Sequence, residues 1–316
     1  MRGRVRVALI GGGQSCEHEV SLASAAAVAD ALDPAVYDAV RLTIDCCGRW
    51  HDAQGRRIGL AGAVQAMTGC AVVLPVVHGP RGEDGTIAAL CELAGVPYVG
   101  SGVRAGALAM DKWATKLVAE AVGIATAPGV LLTADTAAAY LWTHRVVVKP
   151  VSAGSSLGVS LAGEASELPA AIEAALGLDD RILVEDVVDG REIDIAVLGT
   201  VDGARTVTPS LEVVGDGLFD FDAKYGGAAH FRIPAPLGAQ ERQTLEDAAI
   251  AMFDSLGCAG VARVDFFLTP AGLVLNEVNT MPGFTEQSQV PKMFAAAGVP
   301  YPALLDTLVR DALRTS

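Results

Sequence analysis

Val261-Ala262-Arg263-Val264-Asp265-Phe266-Phe267-Leu268-Thr269-Pro270-Ala271-Gly272-Leu273-Val274-Leu275-Asn276-Glu277-Val278-Asn279 decides the reading of this chain. Two apolar runs, Val261–Leu268 and Leu273–Val278, flank a link containing Pro and Gly. They read as a β-hairpin with a three-residue loop at 270–272 and a bulge. Side chains two apart on a strand share a face, so Arg263 lies beside Asp265 and Glu277 beside Asn279. In that register Asp265 stands opposite Glu277, and Arg263 opposite Asn279. Two carboxylates and an amide converge with no lysine beside them. Like charges opposed on a sheet are destabilising, so a cation is expected between them. Oxygen donors without His or Cys suit Mg²⁺ or Mn²⁺. The competing reading is a solvated sheet face on which Arg263 pairs locally with Asp265. Phe266, Phe267, Leu268 and Leu275 are too apolar for a plain surface hairpin and favour a site.

Upstream, the first hundred residues alternate strand and helix. Val5–Ile10 reads as a buried strand, Gly11-Gly12-Gly13 as a turn, and Ser21–Leu32 as a helix. A second buried strand, Ala71–Val77, is followed by a loop at His78–Gly85. Thr86–Ala94 reads as a helix with Gly95 as its stop and Pro97 beyond. This alternation predicts a parallel sheet with crossover helices. Further on, a helix follows Asp111, and strands are expected at Val146–Lys149, Ile182–Glu185 and Arg191–Leu198, with a helix at Ala239–Leu256. These strands are less regularly separated by helices, which predicts mixed α+β sheets. The fold class is therefore α/β and α+β, in three parts: 1–103, 104–188 and 189–316.

The chain has 316 residues, 23 Lys+Arg against 37 Asp+Glu, and a net charge of −14. With 51% hydrophobic and 19% charged residues, it has apolar surface enough to exclude disorder. The acidic balance argues against nucleic acid or an anionic membrane as partner. Mean hydropathy is +0.40, yet every apolar run is broken short of the roughly 18 residues of a spanning helix. Met1–Ile10 turns from basic to strand-like and does not read as a signal peptide. Six scattered cysteines, at 16, 46, 47, 70, 91 and 258, fit neither a zinc site nor a disulfide framework and point to the cytoplasm.

Other segments offer chemistry singly. Lys149 ends the run Val146-Val147-Val148, where a lysine is expected to have a partner. The following Gly154-Ser155-Ser156-Leu157-Gly158 offers N–H groups and hydroxyls to phosphate, although GxxxxGK[ST] is absent. An ordinary turn explains that loop equally. The glycines at 11–13 do not form GxGxxG, because Cys16 stands in the last position. Glu17 and Glu19 precede the expected helix and suit its dipole. His78 ends a buried strand, where open sheets place ligands, but a lone His is more often a structural hydrogen-bond partner. Lys224-Tyr225, in the glycine-hinged stretch 215–227, reads as a lid or a surface excursion.

Taken in order, these segments resemble the D-alanine–D-alanine ligases of the ATP-grasp superfamily, nearly end to end. The matching stretches are Gly12–Leu22, His78–Gly85, Met110-Asp111-Lys112, Val148-Lys149-Pro150 with Gly154-Ser155-Ser156, Ala223-Lys224-Tyr225, Ala262–Asp265 and Asn276–Thr285. The resemblance implies a Rossmann-like N-terminal part followed by a two-lobed ATP-grasp fold. It also implies ATP-dependent joining of two D-alanine molecules through a D-alanyl phosphate, for peptidoglycan precursors, by a cytoplasmic homodimer.

Carried onto this chain, the family's roles give Lys112 and Lys149 the ATP phosphates, with the Ser155-Ser156 loop folding over them. Glu185, Asp186 and the hinge through Val188 meet adenine, Glu192 the ribose, and Asn276 the nucleotide. Lys224 reaches the γ-phosphate from the lid. Asp265, Glu277 and Asn279 hold two Mg²⁺ (or Mn²⁺) ions. Glu17 receives the ammonium of the first D-alanine within a Glu17–Ser155–Tyr225 set. Arg263 and the Gly283 N–H stabilise the oxyanion, and Ser288 binds the second carboxylate. Gln289 departs from the family, which usually has an apolar residue there, or Arg in resistance-type ligases. Selectivity for D-alanine, D-lactate or D-serine therefore stays open, as does a dipeptide ligase of secondary metabolism. A silent ATP-binding sensor is the alternative of another class. Intact Arg263, Asp265, Glu277 and Asn279 argue against it.

Overall fold

The computed structural model describes residues 3–214 and 230–314. Strand β1 (Val5–Gly12) is buried from Val7 onward and lies between two parallel neighbours, β2 (Tyr37–Ile44) and β4 (Val72–Pro75). The short β3 (Trp50–His51) pairs antiparallel with β2, giving the order β3-β2-β1-β4. Helices α1 (His18–Ala31) and α2 (Gly59–Thr68) lie between these strands in the chain, and α3 (Thr86–Ala94) follows. As expected, α3 stops at Gly95, whose φ of 64° is left-handed.

Helix α1 starts at His18 rather than Ser21, so Glu17 is its N-cap residue and Glu19 lies inside its first turn. Ser21 is no cap because its hydroxyl is used elsewhere. It accepts from the Gly12 N–H at 2.8 Å and donates to the Val76 carbonyl, tying the helix to the sheet. Gly12, at φ +87°, permits this turn; a Cβ there would lie 2.2 Å from the Ile44 carbonyl oxygen.

Helices α4 (Val103–Met110) and α5 (Lys112–Ala121) lead into a second sheet. It contains β5 (Gly129–Thr133), β6 (Val146–Pro150), β7 (Ser160–Ala162) and β8 (Arg181–Asp186) in the antiparallel order β5-β8-β6-β7. The short helix α6 (Ala134–Ala137) follows β5, and α7 (Leu168–Leu176) precedes β8. The third sheet has the order β12-β11-β9-β13-β14, with β10 paired to β9. Its strands are β9 (Arg191–Gly199), β10 (Arg205–Val207), β11 (Leu211–Val214), β12 (His230–Arg232), β13 (Gly260–Thr269) and β14 (Gly272–Asn279). Helix α8 (Ala239–Leu256), bounded as the sequence indicates, packs on this sheet, and α9 (Gln289–Ala296) and α10 (Tyr301–Ala312) close the chain.

The hairpin keeps its expected register at the decisive positions: Arg263 faces Asn279 and Asp265 faces Glu277. Its details differ. Thr269 pairs with Gly272, so the loop is the two residues Pro270-Ala271, and the register shifts between Asp265 and Phe266 instead. The extra residue is Asn276 on β14. A bulge reverses the alternation locally, so Leu275 and Val278, three apart, both enter one core with Val264 and Phe266. Glu277 and Asn279 are thereby left for the other face.

Candidate active site

Strand β9, between β11 and β13, completes the constellation. Asp194 on β9 is opposite Asp265 on β13, which is opposite Glu277 on β14. Three carboxylates thus form one cross-strand row, and Asp194 and Asp265 are 1% and 2% exposed. Arg263, one row along, offsets this charge. Its Nε and Nη2 donate to the two Asp265 oxygens, each at 2.7 Å, and the Asn279 amide donates to Asp265 Oδ2 at 3.0 Å. Burial opposes the guanidinium charge. Asp265, Asp194 and Glu277 outweigh it and hold Arg263 protonated well above its ordinary value. The local pairing of Arg263 with Asp265 therefore exists, but on a buried face rather than a solvated one.

The expectation of no lysine beside these carboxylates is corrected: Lys112 Nζ lies 3.7 Å from Glu277 Oε2 and donates to the Ala153 carbonyl at 2.7 Å. The pairing is invisible in sequence because β14 and the start of α5 meet only in the fold. Asp111 caps α5 by accepting from the Ala114 N–H at 2.9 Å, and Arg181 holds its other oxygen at 2.6 Å. This fixes the turn that presents Lys112. Among the described residues no group of three or more His, Cys, Asp or Glu side chains is arranged to hold a metal. Asp265, Glu277 and Asn279 offer two carboxylates and an amide oxygen, a hard-donor set that fits a divalent cation sharing its coordination with phosphate.

Lys149 has the partner its burial requires. Its Nζ lies 2.5 Å from Glu185 Oε2, and Lys116 Nζ lies 2.6 Å from Glu185 Oε1. All three residues are buried. Lys116 is one helical turn after Lys112 on α5, a spacing that puts both on one face; the sequence reading passed over it. Burial pushes the Glu185 carboxyl up, but Lys149 and Lys116 overcome that and hold it below the usual range.

Glu17, Gly79, Glu83, Met110, Lys112, Ala153–Ser155 and Glu277–Thr280 line one cleft. Glu17 is 8% exposed and accepts from the Ser155 hydroxyl. Its carboxyl is raised by burial first and Glu83 second, against the Ser155 hydrogen bond. A Cβ on Gly154 would lie 2.6 Å from Glu17 Oε2, so a larger residue there would displace that carboxylate. Ser155 and Ser156 adopt left-handed φ values of 52° and 56°, rare for non-glycine residues and costly unless the surroundings hold them.

His78 is a buried hydrogen-bond partner. Its Nδ1 lies 2.9 Å from the Met281 carbonyl and its Nε2 3.1 Å from Ser24 Oγ, which also accepts from the Phe284 N–H at 3.2 Å. His78 and Ser24 together thus hold Met281 and Phe284, on either side of Gly283. That glycine lies against Ser288, whose Oγ would be 3.2 Å from a Cβ at 283. Ser288 is the N-cap residue of α9, and its Oγ accepts from the Thr285 N–H at 3.1 Å.

The remaining expected nucleotide residues lie as follows. Glu185 and Asp186 end β8, Val188 lies in the following turn, and Glu192 is at the start of β9. Asp186 pairs with His144 Nε2 at 2.7 Å. Asn276 occupies the bulge. Lys224 and Tyr225 lie outside the described residues.

The family models described as D-ala D-ala ligase N-terminus and C-terminus match residues 6–69 with 55–101, and 125–310. The chain belongs to the D-alanine–D-alanine ligase family. The family's fold is the ATP-grasp fold. The D-alanine–D-alanine ligases of Corynebacterium aurimucosum and Mycolicibacterium vanbaalenii are each 40% identical to it, over 99% of this chain and 98% of theirs. Among solved ligases, the VanG D-Ala:D-Ser ligase from Enterococcus faecalis matches with a TM-score of 0.84 and 32% identity, over 98% of this chain and 100% of that one. The Coxiella burnetii D-alanine–D-alanine ligase gives 0.83 and 31%, over 99% and 94%. The Bacillus anthracis ligase complexed with ATP gives 0.81 and 26%, over 98% of each chain.

Proposed function

We propose that this chain joins two molecules of D-alanine at the expense of ATP, releasing ADP and phosphate, to supply a dipeptide for peptidoglycan precursors. The observation that carries the reading is the single cleft in which Glu17, Lys112, Ser155, Glu277 and Asn279 meet. Three chemistries are needed together: an anion to hold an ammonium, cations to hold a triphosphate, and oxygen donors for divalent ions.

Glu17 receives the ammonium of the first D-alanine and leaves its carboxylate toward the nucleotide. That carboxylate forms a bond to the γ-phosphorus as ADP leaves, which brings anions together. Lys112, Lys149 and the Ser155-Ser156 loop hold the phosphates against that repulsion. Lys149 stays fixed by Glu185 as it does so. Two Mg²⁺ or Mn²⁺ ions held by Asp265, Glu277 and Asn279 would supply the remaining neutralisation. The acyl phosphate is destroyed by water, and Lys224 and Tyr225 are assigned to the lid that excludes it. The amine of the second D-alanine, its carboxylate at Ser288, then attacks the acyl carbon. Arg263 and the Gly283 N–H stabilise the resulting oxyanion until phosphate departs. Glu185, Asp186, Val188, Glu192 and Asn276 are assigned to adenosine, and a homodimer is the expected assembly.

Likeness to a D-Ala:D-Ser ligase keeps D-serine as a second reading for the acceptor. The test is ADP release with D-alanine alone and with D-serine or D-lactate added, with the product mass recorded. D-alanine-dependent ADP release with the D-alanyl-D-alanine mass supports the proposal. No ADP release with D-alanine refutes it.

A further inference from the structure

Arg263 has a third anchor that its role as an oxyanion donor does not explain. Its Nη1 donates to Gln289 Oε1 at 2.5 Å, and Gln289 Nε2 donates to Asp194 Oδ2 at 3.0 Å. Asp194 Oδ2 is itself 3.9 Å from Arg263 Nε. A primary amide can accept from a cation and donate to a carboxylate at the same time; an apolar residue does neither, and a carboxylate cannot donate. Gln289 opens α9 directly after Ser288, so this bridge spans from the helix to β9 and β13.

We propose that Gln289 is a positioning residue: oriented by Asp194, its amide holds the Arg263 guanidinium in place for the oxyanion and so is committed away from the second substrate. The inference rests on the proposed ligase activity and deepens it. The Asp265 grip comes from within Arg263's own strand and leaves Nη1 available, while Gln289 fixes that third nitrogen from another element. A guanidinium held on two sides cannot swing about its long side chain, and transition-state stabilisation depends on donors placed beforehand.

The test compares wild type with Gln289→Met, which keeps the side-chain length but loses both hydrogen bonds, with Asp194→Asn, and with the double variant. Wild-type D-alanine-dependent ADP release is measured first; its absence would end the functional proposal and this inference together. With active wild type, Gln289→Met is expected to lower kcat at least tenfold, with the KM for ATP within twofold and Tm little changed. The double variant is expected to be no slower than Gln289→Met, because both act through one bridge. Wild-type kcat in Gln289→Met, a loss confined to the KM for ATP, or losses that multiply in the double variant each overturn the inference while leaving the ligase reading intact.

Discussion

Asp194 lies directly opposite Asp265 on the neighbouring strand, and both are almost wholly buried. Such a pair opposes folding unless positive charge is built in beside it. Arg263 provides that charge in the protein alone, and the proposed function adds divalent cations at the Asp265–Glu277 edge of the row. The energetic demand of the row and the chemistry of phosphoryl transfer thus have the same answer.

Truncating Lys116 should be costly although it is assigned no contact with substrate. It leaves Glu185 buried with one cation instead of two, and breaking a buried ion pair costs about 3–5 kcal/mol. Urea unfolding of Lys116→Ala at neutral pH should show a loss of that order. A change under about 0.5 kcal/mol, the size typical of surface substitutions, would show that Lys149 alone satisfies the carboxylate.

The same carboxylate makes stability acid-sensitive. Glu185 is held below its ordinary value in the folded chain, so it binds fewer protons folded than unfolded. Its contribution is complete above the unfolded value of about 4.3 and disappears as pH falls through the folded one. Between pH 6 and pH 3 the unfolding midpoint of wild type should fall more steeply than that of Glu185→Gln. Parallel curves would contradict the assignment.

Glu17 has the opposite sign. Its raised carboxyl keeps a proton above the ordinary value of about 4.3, whereas an ammonium needs the carboxylate. The kcat/KM for D-alanine should therefore drop toward acid with a limb lying above that value. A limb at or below it would remove Glu17 from ammonium binding.

Gly154→Ala should act through the same residue. The added methyl would sit 2.6 Å from Glu17 Oε2, so the carboxylate must move. Steady-state kinetics should show a KM for D-alanine raised on the order of tenfold, since about 1.4 kcal/mol is a factor of ten. An unchanged KM would mean that the loop yields instead.

Much of this site was legible in sequence where the chemistry is local. Turn residues set the β13–β14 hairpin, so the facing of Asp265 and Glu277 followed from spacing. The loop length did not, because a bulge at Asn276 and a longer loop give the same pairing at Asp265. Asp194 was within a recognised strand, but no local pattern says that β9 pairs with β13. Lys116 had a signal, its position one turn after Lys112. The bridge through Gln289 had none, because it depends on how α9 meets the sheet, and only the departure from the family pattern marked the residue.

The most direct measurement is ADP release and dipeptide mass for wild type beside Glu277→Ala, with folding followed by circular dichroism. Glu277 is part-exposed at the cleft, so its truncation should preserve the fold. Wild type should yield ADP and D-alanyl-D-alanine, and the variant should be slower by at least about 100-fold, the several kcal/mol of charge stabilisation that metal-assisted transfer supplies. A folded Glu277→Ala enzyme turning over at the wild-type rate would contradict the placement of the reaction in this cleft.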